Sequence, residues 1–303
     1  MAINMGKRDT FAQNESISPR QLYRLYVFNL LGVGTLVLPN NLAKLGKYGF
    51  ISIALGVFMA WLFMWIVSEV REQKKSIYDR SFGKTTHAKM LIYDLIIVIY
   101  ELSQAAFLAW IFVKLIRDSL IPDESFTVVL LVIMAVCAYA LSGGVECRAR
   151  VYEVVFFFVL IPLAAMLLFA LSDVRLDYLM IKDRVGVDFG IADIFAGAYY
   201  VFAASISVFN ILFVRERTAS QIRGSVSKAI FTYAGILFLL YAVLLGNFGK
   251  YSLSEIEFPA VVLMSDVADK KAASFKRADA LMLSVWIFHA VFSTQYEPLL
   301  CGF

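Results

Sequence analysis

The chain has 303 residues, of which 60% are hydrophobic and 17% charged, with a mean hydropathy of +0.74 and a formal net charge of +4. Soluble domains are about half apolar and about a quarter charged, and a fold of this size must still cover its surface with groups that water tolerates. The composition therefore argues against a soluble enzyme, a nucleic-acid binder and a disordered scaffold, and it implies a bilayer as solvent.

Residues 1–24 are polar and contain no apolar h-region, so they read as a cytoplasmic N-terminal segment and not as a cleavable secretory signal. Eight apolar stretches follow, at residues 25–43, 48–68, 90–113, 126–145, 154–172, 189–214, 229–249 and 280–296. Each approaches the roughly 20 residues that a membrane helix needs. Barrel strands would be about 10 residues long and would alternate, so helices are the spanning form that satisfies the backbone in lipid. Residues 250–279 are polar except for a short apolar piece at 258–264, too short to span, which predicts an interfacial or re-entrant helix. The expected organisation is an N-terminal segment (1–24), a transmembrane permease-like domain (25–296) and an irregular tail (297–303).

Placing the N-terminus inside puts sixteen Lys and Arg residues in the inner segments and seven in the outer loops before the seventh span. That asymmetry favours a cytoplasmic N-terminus, and the long outer loop adds five more. Three cysteines, Cys137, Cys147 and Cys301, show no repeated spacing, which argues against a disulfide framework or a zinc site. His87 lies in a basic loop and His289 in the last span, so no metal cluster or nucleophilic triad is suggested. No P-loop occurs. No catalytic residue, metal or cofactor is expected, and the chain reads as a non-enzyme. The basic run at residues 71–89 reads as a topology signal, with contact to anionic lipid as a second possibility.

Three groups of residues stand out against the apolar background. The first span contains Gly32-Val33-Gly34-Thr35-Leu36-Val37-Leu38-Pro39. Two glycines and a proline weaken the middle of a helix, and in lipid a break is accommodated where it is buried in protein or lines a polar cavity. Discontinuous helices build the midplane substrate sites of secondary transporters. There, freed N–H groups can hold a carboxylate and freed carbonyls an ammonium or a cation. The same residues also fit a packing notch or a proline kink. They are not a dinucleotide fingerprint, because Val37 takes the place of the third glycine and no strand precedes them.

The sixth span centres on Phe195-Ala196-Gly197-Ala198-Tyr199-Tyr200-Val201-Phe202-Ala203-Ala204-Ser205-Ile206-Ser207. Its small residues suit close helix packing; its alternative role is a second broken helix opposite the first, five spans later, as inverted-repeat carriers require. The third span holds Asp94 and Glu101, which share one helical face. Intramembrane acids mark a pathway or a paired site. Asp94 can also reach the inner interface, whereas Glu101 is deeper and is the candidate proton carrier or polar lock.

Ile17-Ser18-Pro19-Arg20-Gln21-Leu22, followed by the Gly32–Pro39 motif, resembles the opening of the spore germination permeases. These are the integral-membrane B subunits of germinant receptors in endospore-forming bacteria. Lys276-Arg277-Ala278-Asp279-Ala280-Leu281, leading into Val285-Trp286-Ile287-Phe288, is similar to the same family's arginine-x-aspartate and tryptophan-isoleucine-phenylalanine stretch. The resemblance spans about residues 15–294.

The resemblance implies an all-α membrane fold of the five-plus-five inverted-repeat type, related to the amino acid–polyamine–organocation transporters, with the first and sixth helices discontinuous. It implies a small nutrient ligand, often an amino acid, bound at the midplane by Gly32, Val33, Gly34 and Thr35, facing Gly197, Tyr199 and Tyr200. It also implies an A subunit and a lipoprotein C subunit as partners in the spore inner membrane, with lipid around the chain and no nucleic acid. Set against that ten-helix pattern, eight spans make the chain read as C-terminally truncated, an incomplete version of the fold. The alternatives are a proton-coupled amino acid transporter using Glu101, and a truncated, non-transporting structural subunit.

Overall fold

The computed structural model describes residues 18–80, 87–119, 121–141, 144–180, 190–206, 208 and 219–271, and among these it is helical throughout, with no strand. The helices are α1 (Pro19–Ala43), α2 (Gly49–Arg80), α3 (His87–Ser119), α4 (Phe126–Leu141), α5 (Gly144–Leu171), α6 (Leu176–Met180), α7 (Ile191–Ala204), α8 (Ala219–Glu255) and α9 (Pro259–Lys271). They follow the expected spans in order: α1 to α5 are the first five, α7 is the sixth and α8 the seventh. The eighth span, with His289 and the tryptophan-containing motif, lies outside the described residues. Among those described, three stretches have the length and hydropathy to cross a membrane: Pro19–Ala43, Gly46–Glu69 and Ile222–Glu255.

The opening motif explains where α1 begins. Ser18 is extended (φ −69°, ψ 154°) and accepts a hydrogen bond from the Gln21 N–H at 3.2 Å, while the Gln21 side chain accepts from the Ser18 N–H at 2.9 Å. This reciprocal cap satisfies two donors that the first turn leaves open. Pro19 follows at the first helical position, where its missing N–H costs nothing. α1 is the most enclosed of the three spanning stretches. Tyr26, Val27, Leu30, Leu36 and Leu42 are fully buried, and α8 packs along its length.

The first helix is not discontinuous, contrary to the expectation. α1 runs unbroken through Gly32, Gly34 and Pro39. Each glycine costs about 1 kcal/mol relative to alanine, an amount that the packing of α8 and α5 around the helix can outweigh. Pro39 stands close to the C-terminal end, so it interrupts a single backbone bond, the one to the Thr35 carbonyl. The sixth span differs. α7 is 14 residues long, about 21 Å at 1.5 Å per residue, short of the roughly 30 Å hydrocarbon core. The backbone leaves helical geometry at Ser205 (φ −94°, ψ 4°), and residues 207 and 209–218 lie outside the described part.

The helix ends are tied at two levels. At one level Arg24 pairs with Glu153 of α5 at 2.7 Å, with its guanidinium over the rings of Phe156 and Phe157. At the same level Arg223 of α8 donates to Ser68 at 2.6 Å, pairs with Glu69 and stacks on Trp65 of α2. At the other level Tyr241 of α8 donates to the Leu42 and Gly46 carbonyls at 3.0 and 2.7 Å. The Asn40 amide donates to the Ser254 and Ile256 carbonyls at 3.1 and 2.5 Å, and Lys114 pairs with Glu257.

Two glycines carry positive φ. Gly46 (φ 53°) turns the chain between α1 and α2, and Gly249 (φ 72°) interrupts α8 against the ring of Tyr178. Both conformations suit a residue without Cβ. The expected short helix after the seventh span is α9, which packs against α1, α5 and α8. Outward-facing Leu102, Trp110, Leu131, Phe158 and Leu168 are exposed, a surface that lipid would cover.

Candidate functional site

Gly34 of α1 is met by a side chain that the sequence pattern did not single out. Gly34 is buried, and a Cβ placed on it would lie 2.3 Å from the hydroxyl oxygen and 2.6 Å from a ring carbon of Tyr233 on α8. No side chain fits there, so Gly34 is the condition for Tyr233 to rest on the α1 backbone. Tyr233 is itself fully buried. Next along α1, the Thr35 hydroxyl is buried and donates to the Leu31 carbonyl at 2.5 Å. Gly32 is buried too, while the side chain of Val33 lies outside the described residues. On the N-terminal side of the glycines, Tyr26 and Asn29 are also buried.

The third element at this point is the end of α7. Ser205 is buried; its N–H bonds back to the Phe202 carbonyl at 2.9 Å and its hydroxyl to the Val201 carbonyl at 2.9 Å. Both bonds cover carbonyls that a helix end leaves open. The Ser205 side chain is a polar neighbour of the Tyr233 hydroxyl, although the two do not meet in hydrogen-bonding geometry. Tyr233 thus bridges the glycine stretch of α1 and the terminus of α7. Among the described residues no carboxylate or cationic side chain is buried. The site is a set of hydroxyls, glycine backbone and helix-end carbonyls. The end of a helix carries partial negative charge, which favours a cationic group beside it, and the Tyr233 hydroxyl can donate to an anionic one.

The other expected residues are placed differently. Gly197 is buried, but it faces α2: a Cβ there would lie 2.7 Å from the Leu45 side chain and 2.7 Å from the Ser52 hydroxyl oxygen. Gly56 of α2 meets the Ala198 carbonyl and Val201 in the same way, and the Ser52 hydroxyl donates to the Ile194 carbonyl at 2.9 Å. Small residues here allow two helices to approach closely. Tyr199 and Tyr200 are not brought to α1; they are 61% and 48% exposed. The reason is helical phase. Gly197, Ala198, Val201 and Ser205 form the buried side of α7, and at 3.6 residues per turn positions 199 and 200 fall away from it. Asp94 and Glu101 lie on α3, whose main packing partner is α4; their side chains lie outside the described residues.

Sequence reasoning missed Tyr233. It sits in Phe231-Thr232-Tyr233-Ala234-Gly235 within an otherwise apolar span, and no spacing rule separates this tyrosine from one at a lipid interface. Ser205 was visible as one of the hydroxyls of the sixth span.

The described residues are helical, and three apolar stretches among them are long enough to cross a membrane, which suits an integral membrane protein. A family model described as spore germination protein matches residues 16–297, and the chain belongs to that family. The resemblance read from the opening motif and the eighth-span motif is therefore borne out. A curated relative, Spore germination protein B2 of Bacillus subtilis (strain 168), is 22% identical over 248 residues, which cover 78% of this chain and 64% of the relative. The chain thus matches somewhat under two thirds of that relative's length.

Proposed function

We propose that this chain is the membrane-embedded B subunit of a spore germinant receptor, binding a small nutrient, an amino acid, where α1, α7 and α8 meet. Two conformations of the chain would bind the nutrient with different affinity, and only that difference allows the nutrient to shift their balance. An A subunit and a lipoprotein C subunit in the spore inner membrane would read the shift, and the N-terminus would be cytoplasmic. Family membership supports the germination role. The observation that carries the site is the burial of the Gly34 backbone, the Tyr233 hydroxyl and the Ser205 helix end at one corner that contains no buried charge among the described residues.

The test is Gly34→Ala in spores, with accumulation of the protein in the membrane followed by immunoblotting. The added methyl group collides with Tyr233 and alters the corner without touching the helix ends. The expected outcome is a lost nutrient response at a normal protein level. A normal response would overturn the assignment of the site to this corner.

A further inference from the structure

The hydroxyl of Tyr233 is fully buried and makes no hydrogen bond with any described residue. Thr35 gives its proton to the Leu31 carbonyl and Ser205 gives its proton to the Val201 carbonyl, and the Ser205 oxygen, the polar neighbour of the Tyr233 hydroxyl, does not meet it in hydrogen-bonding geometry. A buried hydroxyl without a partner is destabilising, and a nearby structural acceptor would remove that cost. The ring is held against Gly34, a position where even a methyl group does not fit, so the hydroxyl is aimed at the α1 backbone by the packing itself. We propose, on the basis of the functional reading above, that Tyr233 is the ligand's carboxylate donor and the specificity-determining residue of the site.

The chemistry selects the class of ligand. A phenol with an uncommitted proton is best met by an anionic acceptor, since a hydrogen bond to an ionised group is about twice as strong as a neutral one. A small ligand bearing a carboxylate, such as a free amino acid, satisfies the hydroxyl on binding. Its carboxamide offers a weaker, neutral acceptor. Access requires the ring to leave Gly34, so binding is coupled to a change in how α8 sits on α1. That coupling provides the difference in affinity between conformations that signalling requires.

The experiment uses the full chain purified in detergent. Thermal stabilisation and direct titration are measured with the twenty common amino acids and the carboxamide of each, for wild type and Tyr233→Phe. The ring is kept, so packing on Gly34 survives. The expected result is that wild type prefers at least one acid over its amide. Tyr233→Phe should weaken that Kd about ten- to hundredfold, abolish the preference, and leave the melting temperature without ligand equal or higher. An unchanged Kd, a retained preference, or equal binding of acid and amide by wild type would overturn the assignment of Tyr233. So would a lower melting temperature of the ligand-free variant, because the hydroxyl would then be structural. If wild type binds none of the acids, both this assignment and the amino-acid reading beneath it fail.

Discussion

Two tyrosines of α8, Tyr233 and Tyr241, carry the same hydroxyl into the interior and use it in opposite ways. Tyr241 donates to the Leu42 and Gly46 carbonyls, which lie where α1 ends and the chain turns into α2. Gly49 leaves room for its ring, since a Cβ there would lie 2.4 Å from the hydroxyl oxygen. Tyr233 also depends on a glycine for space, yet makes no such bond among the described residues. Tyr241→Phe is therefore expected to lower the melting temperature, at a cost of about 1–1.5 kcal/mol, whereas Tyr233→Phe is not. The comparison is a thermal melt of the two variants in the same detergent; equal losses would mean that the Tyr233 hydroxyl has a structural partner. Neither role was legible in the sequence, because both tyrosines stand in apolar runs of the same kind, and the glycines that make room for them and the carbonyls that Tyr241 reaches belong to other parts of the chain.

Among the elements, α2 and α7 show how helices hold together where lipid removes the hydrophobic driving force between them. Close approach and interhelical hydrogen bonds take its place. At Gly56 the obstacle to a side chain is the Ala198 backbone carbonyl, 2.5 Å from the Cβ position, whereas Gly224 and Gly235 of α8 have nothing within 4 Å. Gly56→Ala should destabilise by about 1–3 kcal/mol, as overpacking of a close contact does. Gly224→Ala and Gly235→Ala should be neutral or stabilising by up to about 1 kcal/mol from helix propensity. Melting temperatures of the three variants test this, and an unaffected Gly56→Ala would show that α2 and α7 do not need the contact. The small residues of the sixth span were recognisable as a packing signal, but which neighbour they served was not. Gly197 meets Ser52 and Leu45, and the residue against Gly34 is Tyr233.

For the whole molecule, the loop charges and the packing sort the chain ends in the same way. The segments read as inner from their Lys and Arg content hold Arg24, Arg223 and their partners Glu153 and Glu69. The segments read as outer hold Lys47, the Lys114–Glu257 pair and the contact between the Arg175 N–H and the Gly246 carbonyl at 2.9 Å. The absolute orientation can be tested by thiol labelling of intact cells after replacement of Cys137, Cys147 and Cys301. Cysteines at the exposed positions Lys47 and Glu124 should be labelled from outside, and one at Arg20 only after permeabilisation. The reverse pattern would invert the topology.

What the sequence by itself determined was what composition and local order can encode: a bilayer as solvent, the order of the helices, and the family. Each depends on neighbours along the chain or on averages over about 20 residues. The tertiary structure decided what depends on neighbours in space. The Gly32–Pro39 motif looked like a break, yet α1 stays helical, because α8 and α5 enclose it and Pro39 falls near its end. The paired tyrosines 199 and 200 looked like the partners of that motif, yet helical phase turns them outward. The residue that does lie on Gly34 is Tyr233, about 200 positions further along the chain. A contact at that separation leaves no periodic mark in either segment, and only the packing of α8 along α1 brings the two together.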